Sequence, residues 1–143
     1  DLLPQAIIDS FRFIGRKMNF LVLGNGNAET ASQLTTLQSV AQGDYNAFIG
    51  YNETLSHLMY AGADFLVMPS RVEPCGLNQL YAMRYGTIPV VRSTGGLKDT
   101  VIDIGEPGGY GITYNNATVG DITHGIYRAV DATLWSTAVL HPC

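Results

Sequence analysis

The chain has 143 residues, 46% apolar and 14% charged, which suffices for the core of one ordinary domain and is inconsistent with disorder. A formal net charge of −4 argues against a nucleic-acid partner, whose affinity would come largely from Lys and Arg on phosphates. No run approaches the roughly 18–20 apolar residues that span a bilayer, no charged leader opens the chain, and two cysteines, Cys75 and Cys143, do not make a disulfide framework, so a cytoplasmic setting away from membranes is expected.

There is no initiator Met and the first residues already read as helix, as expected of a portion of something longer. Asp1 suits a cap, and Pro4 falls in the first turn, where a missing N–H is harmless. Leu3, Ile7, Phe11 and Ile14 form one helical stripe that Gly15 can stop. Residues 20–23 read as a buried strand running into Gly24 and Gly26. A second helix, capped by Asn27, carries Leu34, Leu37 and Ala41 inward and ends at Gly43. Residues 47–51 form the next strand. Asn52 caps a third helix with Leu55, Leu58 and Met59, ending near Gly62.

The apolar run 65–68 is the next strand, followed by a short charged loop and a helix with Leu77, Leu80, Tyr81 and Arg84 on one side. A further strand, 88–91, has Pro89 at its start, where proline is tolerated. It breaks into Thr94-Gly95-Gly96. A loop at 105–109 reads as a mobile surface turn, a strand lies near 111–114, and a last helix runs from about 119 to 134. Continuous apolar strands alternating with helices imply an α/β fold, a Rossmann-like doubly wound parallel sheet covered on both faces. One domain spans 1–134, and the tail 135–143 is unassigned.

In such a sheet, ligands sit where strands end and helices begin, beside unpaired N–H groups. Glu73, in the loop after one strand, has the chemistry to accept hydrogen bonds from sugar hydroxyls and to stabilise positive charge at an anomeric carbon; it equally fits a solvated acid paired with Arg71. After Cys75, Gly76 permits close approach of an anion to the amides of Leu77 and Asn78, or the segment is a plain helix start. Thr94, Gly95 and Gly96 offer the same anion logic, or a tight turn. Tyr51 has a ring suited to stacking on a planar base, or to closing the core; Tyr81 and Tyr85 suit core or groove wall. Cys75 reads as a packing residue, since no His lies near it in sequence. The three histidines form no metal spacing and there is no D-x-D motif, so neither cofactor nor protein-bound metal is expected.

Glu73-Pro74-Cys75-Gly76-Leu77, with Arg84-Tyr85-Gly86-Thr87 and Ser93-Thr94-Gly95-Gly96-Leu97-x-Asp99-Thr100, resembles bacterial glycogen synthases and plant starch synthases. The likeness extends back through Ile49-Gly50-Tyr51-Asn52-Glu53 and forward to Ala129-Val130. It implies one half of a two-domain GT-B architecture: a retaining glucosyltransferase moving glucose from ADP-glucose, or UDP-glucose in some, to the non-reducing end of an α-1,4-glucan. The chain then corresponds to a partial C-terminal, donor-binding domain. The resemblance assigns Glu73 to the donor glucose, the amides at Leu77 and Asn78 to the distal phosphate, Tyr51 to the base, and the 94–96 turn to the cleft wall.

Related retaining transferases grip the ribose with a second glutamate eight residues after the first, and here that position is Tyr81. The family's diphosphate-binding Arg and Lys, its first strand and its acceptor domain correspond to sequence ahead of Asp1. The fragment alone is therefore expected to be inactive. A nucleotide-sugar-binding module without catalysis is the alternative.

Overall fold

Side chains on a strand alternate between its two faces, so a run with no polar residue needs cover on both. The run at 65–68 meets that demand: Phe65 and Val67 join one buried cluster, Leu66 and Met68 the other. Val90 and Val91 divide in the same way. The computed structural model that shows this describes residues 3–14, 18–24, 28–40, 44–50, 52–68, 78–93, 101–131 and 137–140.

In chain order these form α1 (Leu3–Phe13), β1 (Asn19–Gly24), α2 (Ala28–Val40), β2 (Tyr45–Ile49), α3 (Glu53–Gly62), β3 (Phe65–Met68), α4 (Asn78–Arg84), β4 (Ile88–Arg92), β5 (Ile112–Tyr114), α5 (Val119–Asp131) and β6 (Thr137–Leu140). The described strands make a sheet of order β2-β1-β6-β3-β4-β5, parallel at every pairing. On one face lie Ile7 of α1, Leu34 and Leu37 of α2, and Ile122 and Ile126 of α5. On the other lie Met59 and Tyr60 of α3 and Ala82 of α4. This is the Rossmann-like doubly wound sandwich that the helix–strand rhythm predicts.

Several particulars depart from the sequence reading. The tail left unassigned after residue 134 supplies β6, in the middle of the sheet: Val139 stands opposite Leu21 of β1 and Leu66 of β3. The sheet therefore extends past the boundary drawn at 134. Four residues are too few for a periodic signal, and only the two flanking strand edges make this segment a strand. β2 starts at Tyr45 rather than 47, because Tyr45 is buried and donates its hydroxyl to the Leu34 carbonyl at 2.6 Å. Burial pushes that phenol up to about 12. The strand stops at Ile49, before Gly50, whose φ of +148° leaves the extended region that side chains prefer.

Pro89 is second in β4, which is flanked by β3 and β5. It is tolerated because Ile88 N–H bonds back to Asp64 of the β3 side at 2.9 Å. In a parallel ladder the next residue turns to the other neighbour, and β5 pairs only from Val90 onward. On α4 the side that carries Leu80 and Tyr81 faces outward: both are exposed, while Ala82 is fully buried. In α3, Leu58 is likewise exposed, and Met59 and Tyr60 face inward. The 105–109 loop is a surface turn, as read, closed by Glu106 N–H to the Asp103 carbonyl, Gly109 N–H to the Glu106 carbonyl and Ile104 N–H to the Gly111 carbonyl.

Candidate functional site

With every pairing parallel, Gly24, Ile49, Met68, Arg92, Tyr114 and Leu140 end their strands at one edge of the sheet. The segments holding the sequence's candidate residues leave from that edge. Glu73, Gly76 and Leu77 lie between Met68 and Asn78, Thr94, Gly95 and Gly96 follow Ser93, and Tyr51 separates Gly50 from Asn52. These seven residues lie outside the described residues. Their points of departure are described. Met68 and Val91 are register partners on adjacent strands, so the Glu73 segment and the Thr94 segment start side by side.

The edge is fastened by hydrogen bonds. Gly50 N–H bonds to the Gly24 carbonyl at 3.0 Å, holding β2 to β1 just before Tyr51. Asn52 takes an extended backbone and its Oδ1 accepts the Leu55 N–H at 2.9 Å, a true N-cap of α3. The Tyr114 hydroxyl donates to the Met68 carbonyl at 3.1 Å, and the Tyr114 carbonyl accepts Ser93 N–H at 2.8 Å. Arg92 Nε donates to the Asn115 carbonyl at 3.2 Å. Burial raises the Tyr114 phenol well above its ordinary range, which keeps it a neutral donor.

Two of the candidate residues are described. Asn78 opens α4. Tyr81 stands on the outer side of that helix, 42% exposed, with its ring 5.8 Å from that of His57. His57 also borders Tyr60 at 6.2 Å and Tyr85 at 6.3 Å, so α3 and α4 share an aromatic seam. Tyr81 therefore belongs to a surface wall rather than to the core.

Sequence reasoning missed two features. One is the Tyr114 bond to Met68, which no local pattern signals because the partners are 46 residues apart. The other is Asp103, which accepts Arg128 Nη1 at 2.9 Å and Nη2 at 2.7 Å, Thr113 N–H at 2.9 Å and Gly105 N–H at 2.9 Å. Its bond from Arg128 holds its carboxyl well below the usual carboxylate range, so it is a fixed anion and not a proton donor. Among the described residues no group of three His, Cys, Asp or Glu is placed to hold a metal ion, and no helix is long and apolar enough to cross a membrane. Two surface hollows, about 440 Å³ between α1 and α2 and about 230 Å³ between β1, β2 and α3, have no titratable group in their linings.

A family model described as glycosyl transferases group 1 matches residues 2–131. Over 130 residues the chain is 62% identical to a glycogen synthase of Flavobacterium johnsoniae, covering 91% of this chain and 27% of that protein. Over 98 residues it is 46% identical to the chloroplastic/amyloplastic starch synthase 1 of Arabidopsis thaliana, covering 68% of this chain and 14% of that one. The chain thus spans a minor part of the length of these relatives. The solved catalytic domain of starch synthase IV from Arabidopsis thaliana, bound to ADP and acarbose, matches 92% of this chain and 36% of its own with a TM-score of 0.69. At 22% identity that likeness concerns the fold, one half of a GT-B enzyme.

Proposed function

Because the chain belongs to the group 1 glycosyl transferases, we propose that it is the donor-binding part of a retaining glucosyltransferase, a glycogen synthase that moves glucose from ADP-glucose to the non-reducing end of an α-1,4-glucan. One observation carries the reading. The Glu73–Leu77 and Thr94–Leu97 segments follow the adjacent parallel strands β3 and β4, with Met68 at the end of β3 in register with Val91, one residue before the end of β4, so one molecule can meet both. The 62% identity to a glycogen synthase favours this reaction among those the family runs.

In this reading Glu73 contacts the donor glucose at its anomeric centre. The amides of Leu77 and Asn78 meet the distal phosphate, Tyr51 stacks on the base, and Gly76, Thr94, Gly95 and Gly96 let the backbone approach the diphosphate. Tyr81 stands on the ribose side, where it offers a ring and a phenol in place of a carboxylate. The departing ADP leaves with negative charge. Donors aimed at that charge are the strongest lever on the rate, one good donor contributing roughly 3 kcal/mol. No cofactor and no protein-bound metal enters the step, and the cytoplasm is the setting.

Titration calorimetry with ADP tests the binding half. The chain binds ADP, and Tyr51→Ala weakens that binding by about tenfold, the loss of one stacked base. Glu73→Ala leaves ADP affinity within about twofold but lowers glucosyl transfer by at least about a hundredfold in a protein that joins this chain to its acceptor domain. A polypeptide limited to residues 1–143 binds without transferring. Glucose incorporation into glycogen by that polypeptide, or full transfer by Glu73→Ala, contradicts the assignment.

A further inference from the structure

We infer that Tyr114 is a positioning residue for the donor site, fixing the roots of both the Glu73 segment and the Thr94–Gly96 segment; the inference rests on the reading above. Tyr114 is the last residue of β5, and β4 separates it from β3. Its side chain, 7% exposed, crosses that gap to donate to the Met68 carbonyl at 3.1 Å. Met68 is where the chain leaves β3 toward Glu73. The Tyr114 carbonyl accepts the N–H of Ser93 at 2.8 Å, where the chain leaves β4 toward Thr94. One residue therefore ties both exits, by its hydroxyl and by its backbone.

The ring alone does not need that hydroxyl. It packs in the apolar cluster with Ile112, Ile122 and Ile126, against Gly125 of α5, where a Cβ would sit 3.5 Å from the Tyr114 ring. A phenylalanine satisfies that packing equally. What it forfeits is the bond to Met68, the one placed at the base of the glucose-contacting segment. Without the hydroxyl, the Met68 carbonyl loses that added bond, and the end of β3 is left to its pairing with Val91 of β4.

The test is Tyr114→Phe in the 143-residue chain, read by hydrogen exchange and by calorimetry with ADP and ADP-glucose. Exchange in residues 70–77 rises about tenfold, the equivalent of one lost hydrogen bond, while β1 and α1 are unchanged. ADP affinity falls about twofold, because Gly76 and Leu77 follow in the same segment, and ADP-glucose affinity falls about tenfold, because it reads the position of Glu73 as well, so the ratio of the two falls about fivefold. Unchanged exchange and an unchanged ratio overturn the inference. So does a variant that no longer folds, since the hydroxyl would then determine the fold and not the site. A wild-type chain that binds neither nucleotide overturns the donor-site reading; the exchange result alone then decides whether Tyr114 holds the segment.

Discussion

Asp103 and Arg128 meet through two parallel N–H···O contacts, with side chains 18% and 30% exposed. The pair fastens the 103–111 turn to α5, and the same carboxylate holds Thr113 of β5 through its N–H. Arg128 lowers the carboxyl pKa from its ordinary 3.8, so the folded state binds that proton less readily than the unfolded chain. The associated stability is present above the unfolded value and is lost as pH falls below it toward the folded one. Asp103→Asn should therefore melt well below wild type at pH 7, and the gap should narrow as pH is taken below about 4. Thermal melts across that range check this; a gap independent of pH would mean the carboxylate's charge contributes nothing. The same turn requires glycine at 109, where a Cβ would lie 2.0 Å from the Asp103 carbonyl oxygen.

At the scale of elements, β6 is the segment on which the sheet most depends and the one the sequence least announces. It joins β1 to β3, the two halves of the fold. Val139→Pro removes an N–H from a strand paired on both sides, at a cost of about 3 kcal/mol or more, and should lower the melting midpoint by roughly 10 °C. An unchanged midpoint would mean that 137–140 are not in the sheet. The other strands were legible to within two residues because each is an apolar run bounded by glycine or a cap; Asn52 was legible because its side chain acts within one helical turn. What escaped the sequence depends on partners far along the chain: the hydroxyls of Tyr45 and Tyr114, the Arg128 clasp, and the start of β2. The outward turn of Leu80 and Tyr81 escaped for a related reason. A seven-residue helix has room for several apolar stripes, and the small Ala82, packed with Leu66 and Val91 in one cluster, is the residue that takes the buried position.

At the scale of the molecule, a sheet parallel throughout gathers strand ends at one edge and leaves the opposite edge to the turns that enter the strands. The candidate site was legible as an edge, since the Glu73 and Thr94 segments each follow an apolar run. That the two runs are neighbours in register is what the structure adds. The central claim is that the donor nucleotide binds at this edge, against the segments that follow β3 and β4. Hydrogen exchange on the chain with and without saturating ADP tests it most directly. The account predicts slowed exchange at the amides of Leu77, Asn78, Thr94, Gly95 and Gly96, with no change at Asp64 or at Tyr85, Gly86 and Thr87 on the opposite edge. Slowing confined to that opposite edge, or none at the five named amides under saturating ADP, would contradict it.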